Sequence, residues 1–153
     1  MARRTALLAE DDPAWLGILI KPLEEKGLTV VPARTYEQAV ESLSAGPIDL
    51  IVLDLKLVEA SNELQGLELA REAYQKGIPC VVVTAWGRPS VVRQLDRYDT
   101  YRVMHKLAFD LRAYEQIIDR LIGPGVMSLN KPTEHDVNTM NALLRQVARG
   151  VSI

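Results

Sequence analysis

The chain of 153 residues carries 18 Lys and Arg against 20 Asp and Glu, and 48% of its residues are hydrophobic. This length and apolar content are typical of one compact globular domain with little more than a tail. The small net charge of −2 is scattered, which argues against nucleic acid or an anionic membrane as the partner.

A lone cysteine, Cys80, excludes an intramolecular disulfide, and its apolar surroundings favour a buried, inert thiol. No segment has the roughly twenty apolar residues that a membrane span needs. The basic start, MARRT, is followed by too short an apolar run for a signal peptide. We therefore expect a soluble, cytoplasmic protein.

Strands and helices are predicted to alternate along the chain. The apolar runs predict strands at 5–9, 28–32, 48–53, 79–84 and 101–105. Segments with helical periodicity follow at 13–26, 36–45, 67–76, 88–98 and 110–122. Asp12 before Pro13 is a typical helix start, and Pro22 predicts a kink or an early stop of that helix. Leu111, Tyr114, Ile118 and Leu121 form the predicted apolar stripe of the fifth helix.

Five strand–helix units predict an α/β fold with a doubly wound parallel sheet. The unbroken apolar run at 48–53 is typical of a central strand that is buried on both faces. Because crossovers are right-handed, the flavodoxin-like strand order 2-1-3-4-5 fits five units best.

Polar residues follow four of the predicted strands. Glu10 and Asp11 follow the first, Asp54 the third, Thr84 ends the fourth and Lys106 follows the fifth. The carboxyl ends of parallel strands face one crevice, where carboxylates about 5 Å apart repel by roughly 3 kcal/mol per pair. Oxygen ligands of this kind favour Mg²⁺. Asp54 could then be a nucleophile that accepts phosphorus, with the hydroxyl and the ammonium donating to phosphoryl oxygens.

The segments LLAEDDP, IVLDL, VVVTA and MHKLAF resemble the receiver domain of two-component response regulators. The resemblance covers residue 4 to about 122, and the four motifs occur in the expected order. It implies that Asp11 is a direct Mg²⁺ ligand, that Glu10 acts through water, and that the carbonyl of Lys56 is a third protein ligand. Asp54 is implied as the phosphoacceptor and as a ligand of the same ion.

The same resemblance implies a switch. Asp54 would take phosphate from the phosphohistidine of a histidine kinase or phosphotransfer protein and lose it again to water. Thr84 would be the switch hydroxyl, and Lys106 would sense the phosphoryl group.

The loop after Asp54 departs from the family pattern. Val58 and Asn62 stand where the family usually has Pro and Gly, and Gly66 comes about four residues late, which predicts a longer loop. Trp86 and Lys56 flank the predicted site and could gate water there.

The fifth strand departs as well. Leu107 replaces the usual Pro after Lys106, so a cis peptide bond is not expected there. Val103 occupies the position of a switch aromatic, for which Tyr101 on the same strand face could substitute. His105 is expected to be structural or exposed.

Residues 1–122 form the predicted receiver and 123–153 a tail. In the tail, five apolar residues are spaced as on one narrow face of a helix, here called the apolar seam: Val137, Met140, Leu144, Val147 and Val151. This added C-terminal helix could dock on its own receiver or form a homodimer or partner contact. Because some thirty residues cannot hold a winged-helix domain, we expect output through an unknown partner or dimerisation.

The sequence thus favours a phosphorelay switch and not an enzyme that turns over a separate substrate. One alternative is a receiver-like interaction module that is not phosphorylated. A second is a phosphatase with an aspartyl nucleophile in a DxD motif, but Lys56 stands where the second acid would be.

Overall fold

From the first strand to the fourth, and again from the fifth strand to the last helix, strands and helices alternate as the sequence predicts. The computed structural model describes residues 3–55, 57, 64–85 and 102–122. Its elements are β1 (Thr5–Ala9), α1 (Pro13–Glu25), β2 (Thr29–Ala33), α2 (Tyr36–Ala45), β3 (Leu50–Leu53), α3 (Leu64–Gln75), β4 (Cys80–Thr84), β5 (Arg102–His105), a 3-10 turn (Lys106–Ala108) and α4 (Leu111–Ile122). The helix predicted at 88–98 and the tail helix lie outside the described residues.

The five strands form one parallel sheet in the order β2-β1-β3-β4-β5, which confirms the predicted flavodoxin-like topology. Every residue of β3 and β4 is buried. These apolar strands therefore occupy the centre of the sheet, where both faces are covered.

The helices cover the sheet on both sides. One core cluster joins the sheet to α2 and α3 through residues such as Ala39, Leu43 and Leu69. The other joins it to α1 and α4 through residues such as Leu23 and Ile118. Because all five strands run parallel, their carboxyl ends lie at the same edge of the sheet.

A hydrogen bond connects the two helices on the second face. The hydroxyl of Tyr114, which is fully buried, donates to the carbonyl of Leu19 at 2.9 Å. Burial raises the pKa of Tyr114, so the phenol stays protonated. This contact fixes α4 beside α1.

Three local expectations need correction or refinement. The first helix does not stop at Pro22 but continues to Glu25, because buried Leu23 holds its last turn against the sheet. Leu111 does not belong to the buried stripe: it is 46% exposed, and Ile117 is buried instead. The second strand begins one residue later than predicted and ends at Ala33.

The start of α1 and the state of Cys80 agree with the sequence. The Asp12 carboxylate accepts a hydrogen bond from the Ala14 amide at 2.8 Å, as expected for an N-cap. Cys80 is buried, and burial raises its thiol pKa to about 12. Within the described ranges, no helix is both long enough and apolar enough to cross a membrane.

Candidate functional site

The carboxyl ends of the strands bring the predicted polar residues together. Glu10 directly follows β1, and its amide donates to the carbonyl of Ala33 at 3.0 Å. Asp54 directly follows β3, and its amide donates to the carbonyl of Ala9 at 2.9 Å. The sheet ladder thus continues one residue past the strands and fixes both acids beside each other.

Three carboxylates meet at this edge. One oxygen from each of Glu10, Asp11 and Asp54 lies within 4.8 Å of the other two. Glu10 is 1% exposed and Asp54 7% exposed, whereas Asp11 is partly buried. The cluster therefore has a buried base and an open side at Asp11.

Lys106 reaches into the cluster from the 3-10 turn. Its Nζ lies 2.9 Å from Oδ2 of Asp54 and 2.5 Å from Oε1 of Glu10. The contact with Asp54 has hydrogen-bond geometry. Only 8% of the Lys106 side chain is exposed, so both ion pairs are shielded from water.

Burial dominates the electrostatics of Glu10. It raises the pKa of Glu10 from 4.5 to about 8, partly opposed by the contact with Lys106 and reinforced by the charge of Asp54. Burial alone would lower the pKa of Lys106, but Glu10 and Asp54 outweigh it and raise that pKa. One ammonium therefore does not compensate three acids that lie so close together.

The donor set fits a hard cation. The Oε1 atom of Glu10 is buried and accepts no aligned hydrogen bond, although the Lys106 ammonium lies beside it. Oxygen ligands from Asp11 and Asp54 border the same space. An all-oxygen set with this excess of negative charge suits Mg²⁺.

Thr84 and His105 occupy neighbouring strand ends. Thr84 is the last residue of β4, is fully buried, and pairs in register with His105 of β5. Nδ1 of His105 accepts a hydrogen bond from the Leu107 amide at 3.0 Å, across the base of the 3-10 turn that carries Lys106. Of the two alternatives that the sequence left open for His105, structural or exposed, its burial and this hydrogen bond favour the structural one.

Two neighbours of the site were not predicted. The Lys106 Nζ lies 5.1 Å from the ring centroid of Trp15, a residue of α1. Arg34, directly after β2, donates from its guanidinium to the carbonyl of Asp11 at 3.3 Å. The sequence signals for them are weak: Trp15 comes two residues after Pro13, the predicted helix start, and Arg34 comes shortly after a predicted strand.

The structure describes some of the positions at which the sequence departs from the family pattern. Val103 is partly buried and packs against the core cluster beneath α2 and α3. The described residues contain no cis peptide bond, as expected with Leu107 after Lys106. Gly66 lies against the backbone of Leu55, and its amide donates to the Leu55 carbonyl at 3.2 Å.

Several residues of the predicted site and loop lie outside the described residues. They are Lys56, Val58, Asn62, Trp86 and Tyr101. Their predicted roles therefore stay predictions.

The family assignment rests on a match over most of the chain. The model of the response regulator receiver domain matches residues 6–118. The chain belongs to this family. As a receiver domain it is a signalling module of the response-regulator type, and the acidic pocket that such domains use for Mg²⁺ corresponds to the cluster of Glu10, Asp11 and Asp54.

Curated relatives are larger regulators. The phosphate regulon transcriptional regulatory protein PhoB of Klebsiella pneumoniae is 40% identical over 88 residues, which are 57% of this chain and 38% of that protein. The response regulator protein PilR of Pseudomonas aeruginosa is 32% identical over 89 residues, which are 57% of this chain and 19% of that protein. The match thus spans about two fifths of the length of PhoB and about one fifth of the length of PilR.

Solved structures show the same fold. A CheY-like receiver domain protein from Methanospirillum hungatei superposes with a TM-score of 0.67 at 22% identity, covering 78% of this chain and 94% of that one. A two-component response regulator from Clostridium difficile has a TM-score of 0.68 at 19% identity, covering 80% and 98%.

Proposed function

We propose that this receiver domain accepts a phosphoryl group on Asp54 in a Mg²⁺-dependent reaction and thereby switches the binding of a partner. The observation that carries the proposal is the position of the Asp54 carboxylate. Its Oδ2 atom lies 2.9 Å from Nζ of Lys106. One of its oxygens also lies within 4.8 Å of carboxylate oxygens of Glu10 and Asp11. Such a group of three acids and one ammonium suits a phosphoryl group and a divalent cation together.

The proposed metal site consists of Asp11 and Asp54 as direct ligands, Glu10 through water, and the carbonyl of Lys56. When bound, Mg²⁺ would neutralise charge on the phosphoryl oxygens and orient them. The partly buried position of Asp11 leaves a path for the ion from solvent.

The chain's own residues account for the transfer. A carboxylate oxygen of Asp54 forms a new bond to phosphorus while the bond from phosphorus to the donor's imidazole nitrogen breaks, and that nitrogen keeps the electron pair. Lys106 already lies against Asp54 and would donate to a phosphoryl oxygen. The hydroxyl of Thr84 would donate to another. Attack of water on the same phosphorus would later release inorganic phosphate and restore the Asp54 carboxylate.

The switch follows from charge. Phosphorylation replaces the single charge of Asp54 with a group of nearly two negative charges. Lys106 and Thr84 would reorganise around it. Thr84 ends β4 and Lys106 directly follows β5, so the surface near these two neighbouring strands would change. We propose a histidine kinase or phosphotransfer protein as donor, and an output partner or a second copy as the reader, in the cytoplasm.

Phosphotransfer with a matched control tests the proposal. The purified chain is incubated with acetyl phosphate and Mg²⁺, and its intact mass is measured. We expect a gain of one phosphoryl group in the wild type and none in Asp54→Asn or without the metal. Asp12→Asn is the control, because Asp12 only caps α1, and it should be phosphorylated like the wild type.

The second candidate is a receiver-like module that binds a partner without phosphorylation. It is favoured by the Lys106 ion pairs, which already engage both Glu10 and Asp54, and by Leu107 and Val103. This candidate would be the one that remains if two results are obtained together. The wild-type chain gains no mass with acetyl phosphate, and beryllofluoride causes no spectral change that depends on Asp54.

A further inference from the structure

A groove runs between α1 and α4 on the outer face of the molecule. It has a volume of about 470 Å³ and is lined by Gly17, Ile18 and Pro22 of α1 and by Leu111 of α4, among others. Ile18 is 43% exposed and Leu111 46% exposed, so the groove exposes large apolar side chains to solvent. Such a surface is typical of a packing site for another helix.

Gly17 is unexplained by the packing of the described residues. It lies inside α1, where glycine is less favourable than alanine, and a Cβ built on it meets nothing within 4 Å. A glycine there lets another backbone approach α1 closely. The groove therefore has room for a helix directly over Gly17.

We propose that the tail of this same chain, residues 137–151, docks in this groove as a helix through its apolar seam. The described part of the chain ends at Ile122, so the tail starts at the end of α4, the helix whose first turns line the groove with Leu111 and Glu115. Residues 123–132 can span up to about 33 Å, enough to turn back along α4. Fifteen helical residues extend about 22 Å, which matches the length of the thirteen-residue α1, about 20 Å.

The tail needs such a surface. Two heptads of helix are marginal in isolation, whereas one packed apolar face stabilises them. The stretch 137–153 carries two arginines and no acidic side chain. Among the described residues that line the groove, Glu25 and Glu115 supply two carboxylates and Lys21 the one cation. A short connection also gives the tail an effective concentration in the millimolar range, far above that of a second copy.

Disulfide trapping tests the docking in the full chain. Lys21→Cys, at the rim of the groove, is combined in separate variants with Met140→Cys, Leu144→Cys or Val147→Cys, and oxidised gently. We expect at least one pair to close within a monomer at a rate that dilution does not change. Glu41→Cys, exposed on α2 at the other face of the sheet, is the control and should close at least tenfold more slowly.

Filling the groove is the second test. Gly17→Leu should not lower the melting temperature of the receiver, because leucine is a better helix former and its Cβ meets nothing. It should slow the trapping and speed amide hydrogen exchange in 137–151 at least tenfold. The proposal is overturned if the trapped product is a dimer, if the Glu41 control closes as fast, if no pair closes, or if Gly17→Leu changes neither trapping nor exchange.

Discussion

Lys106 and Trp15 form a cation–π pair at the candidate site, with the ammonium 5.1 Å from the ring centroid. Trp15 is itself fixed by Phe109, whose ring lies edge-on at 5.2 Å. The same ammonium contacts Glu10 and Asp54. The ring therefore forms one wall of the space in which Lys106 points toward the acids.

This arrangement predicts an energetic coupling between Trp15 and Lys106. Trp15→Leu and Lys106→Met should each destabilise the chain, and the double variant should lose less than their sum by about 0.5–2 kcal/mol, because the pair is largely desolvated. Urea unfolding of the four proteins at one pH and salt concentration measures the coupling.

Lys26 provides the matched control for that cycle. It pairs with Asp119 away from Trp15, so Lys26→Met combined with Trp15→Leu should show additive losses within about 0.5 kcal/mol. Equal coupling in both cycles would mean that Trp15 acts on stability generally and does not hold Lys106.

Glu10 predicts that the metal-free protein loses stability as the pH rises. Its pKa is raised from 4.5 to about 8 in the folded chain, mainly by burial, so the folded state binds this proton more tightly than the unfolded state. The contribution of Glu10 is complete below pH 4.5 and is lost as the pH rises through about 8. Glu10→Gln should remove this loss, as measured by urea unfolding between pH 5 and 8.5 in EDTA.

Magnesium should reverse the same loss. A bound divalent cation stabilises the charged carboxylates, so added Mg²⁺ should stabilise the wild type more at pH 8 than at pH 6. Glu10→Gln should gain less from Mg²⁺ at pH 8. A wild type whose stability does not depend on pH in EDTA would contradict the raised pKa.

The strand order and the polar strand ends were predictable because they depend on local patterns. Continuous apolar runs mark the buried strands, and the acids that follow β1 and β3 must face one edge of a parallel sheet. Contacts across the fold leave no such pattern. The 5.1 Å approach of Trp15 to Lys106 joins residues of different elements, and helical periodicity explains Trp15 equally well as a core residue.

Periodicity also does not determine which edge of a helix stripe meets the sheet. Leu111 and Ile117 both fit the apolar face of α4, yet only Ile117 is buried, because Leu111 lies in the first turn at the mouth of the groove beside α1. The continuation of α1 past Pro22 likewise depends on tertiary burial of Leu23 and not on local propensity.

The close approach of Gly66, in the first turn of α3, to the backbone after the site predicts a steric requirement for glycine there. A Cβ on Gly66 would lie 2.5 Å from the carbonyl oxygen and 2.7 Å from the carbonyl carbon of Leu55, which directly follows Asp54. Gly66→Ala should therefore destabilise the chain by about 2–4 kcal/mol, although alanine favours helix. Gly46→Ala is the control: its Cβ meets nothing within 4 Å, and unfolding free energy should change by less than about 1 kcal/mol.

His105 predicts the opposite pH response to that of Glu10. Burial lowers its pKa below 6.5, with partial opposition from the Ala85 carbonyl, so the unfolded chain binds this proton more tightly. The stabilisation of the folded state by neutral His105 is complete above pH 6.5 and is lost as the pH falls below it.

In a Glu10→Gln background, which removes the competing titration of Glu10, the unfolding free energy should fall from pH 7.5 to pH 5. His105→Asn should flatten this fall, because asparagine does not titrate and its side-chain oxygen can still accept from the Leu107 amide, the bond that Nδ1 now makes at 3.0 Å. An equal fall in both proteins would assign the acid sensitivity to other groups.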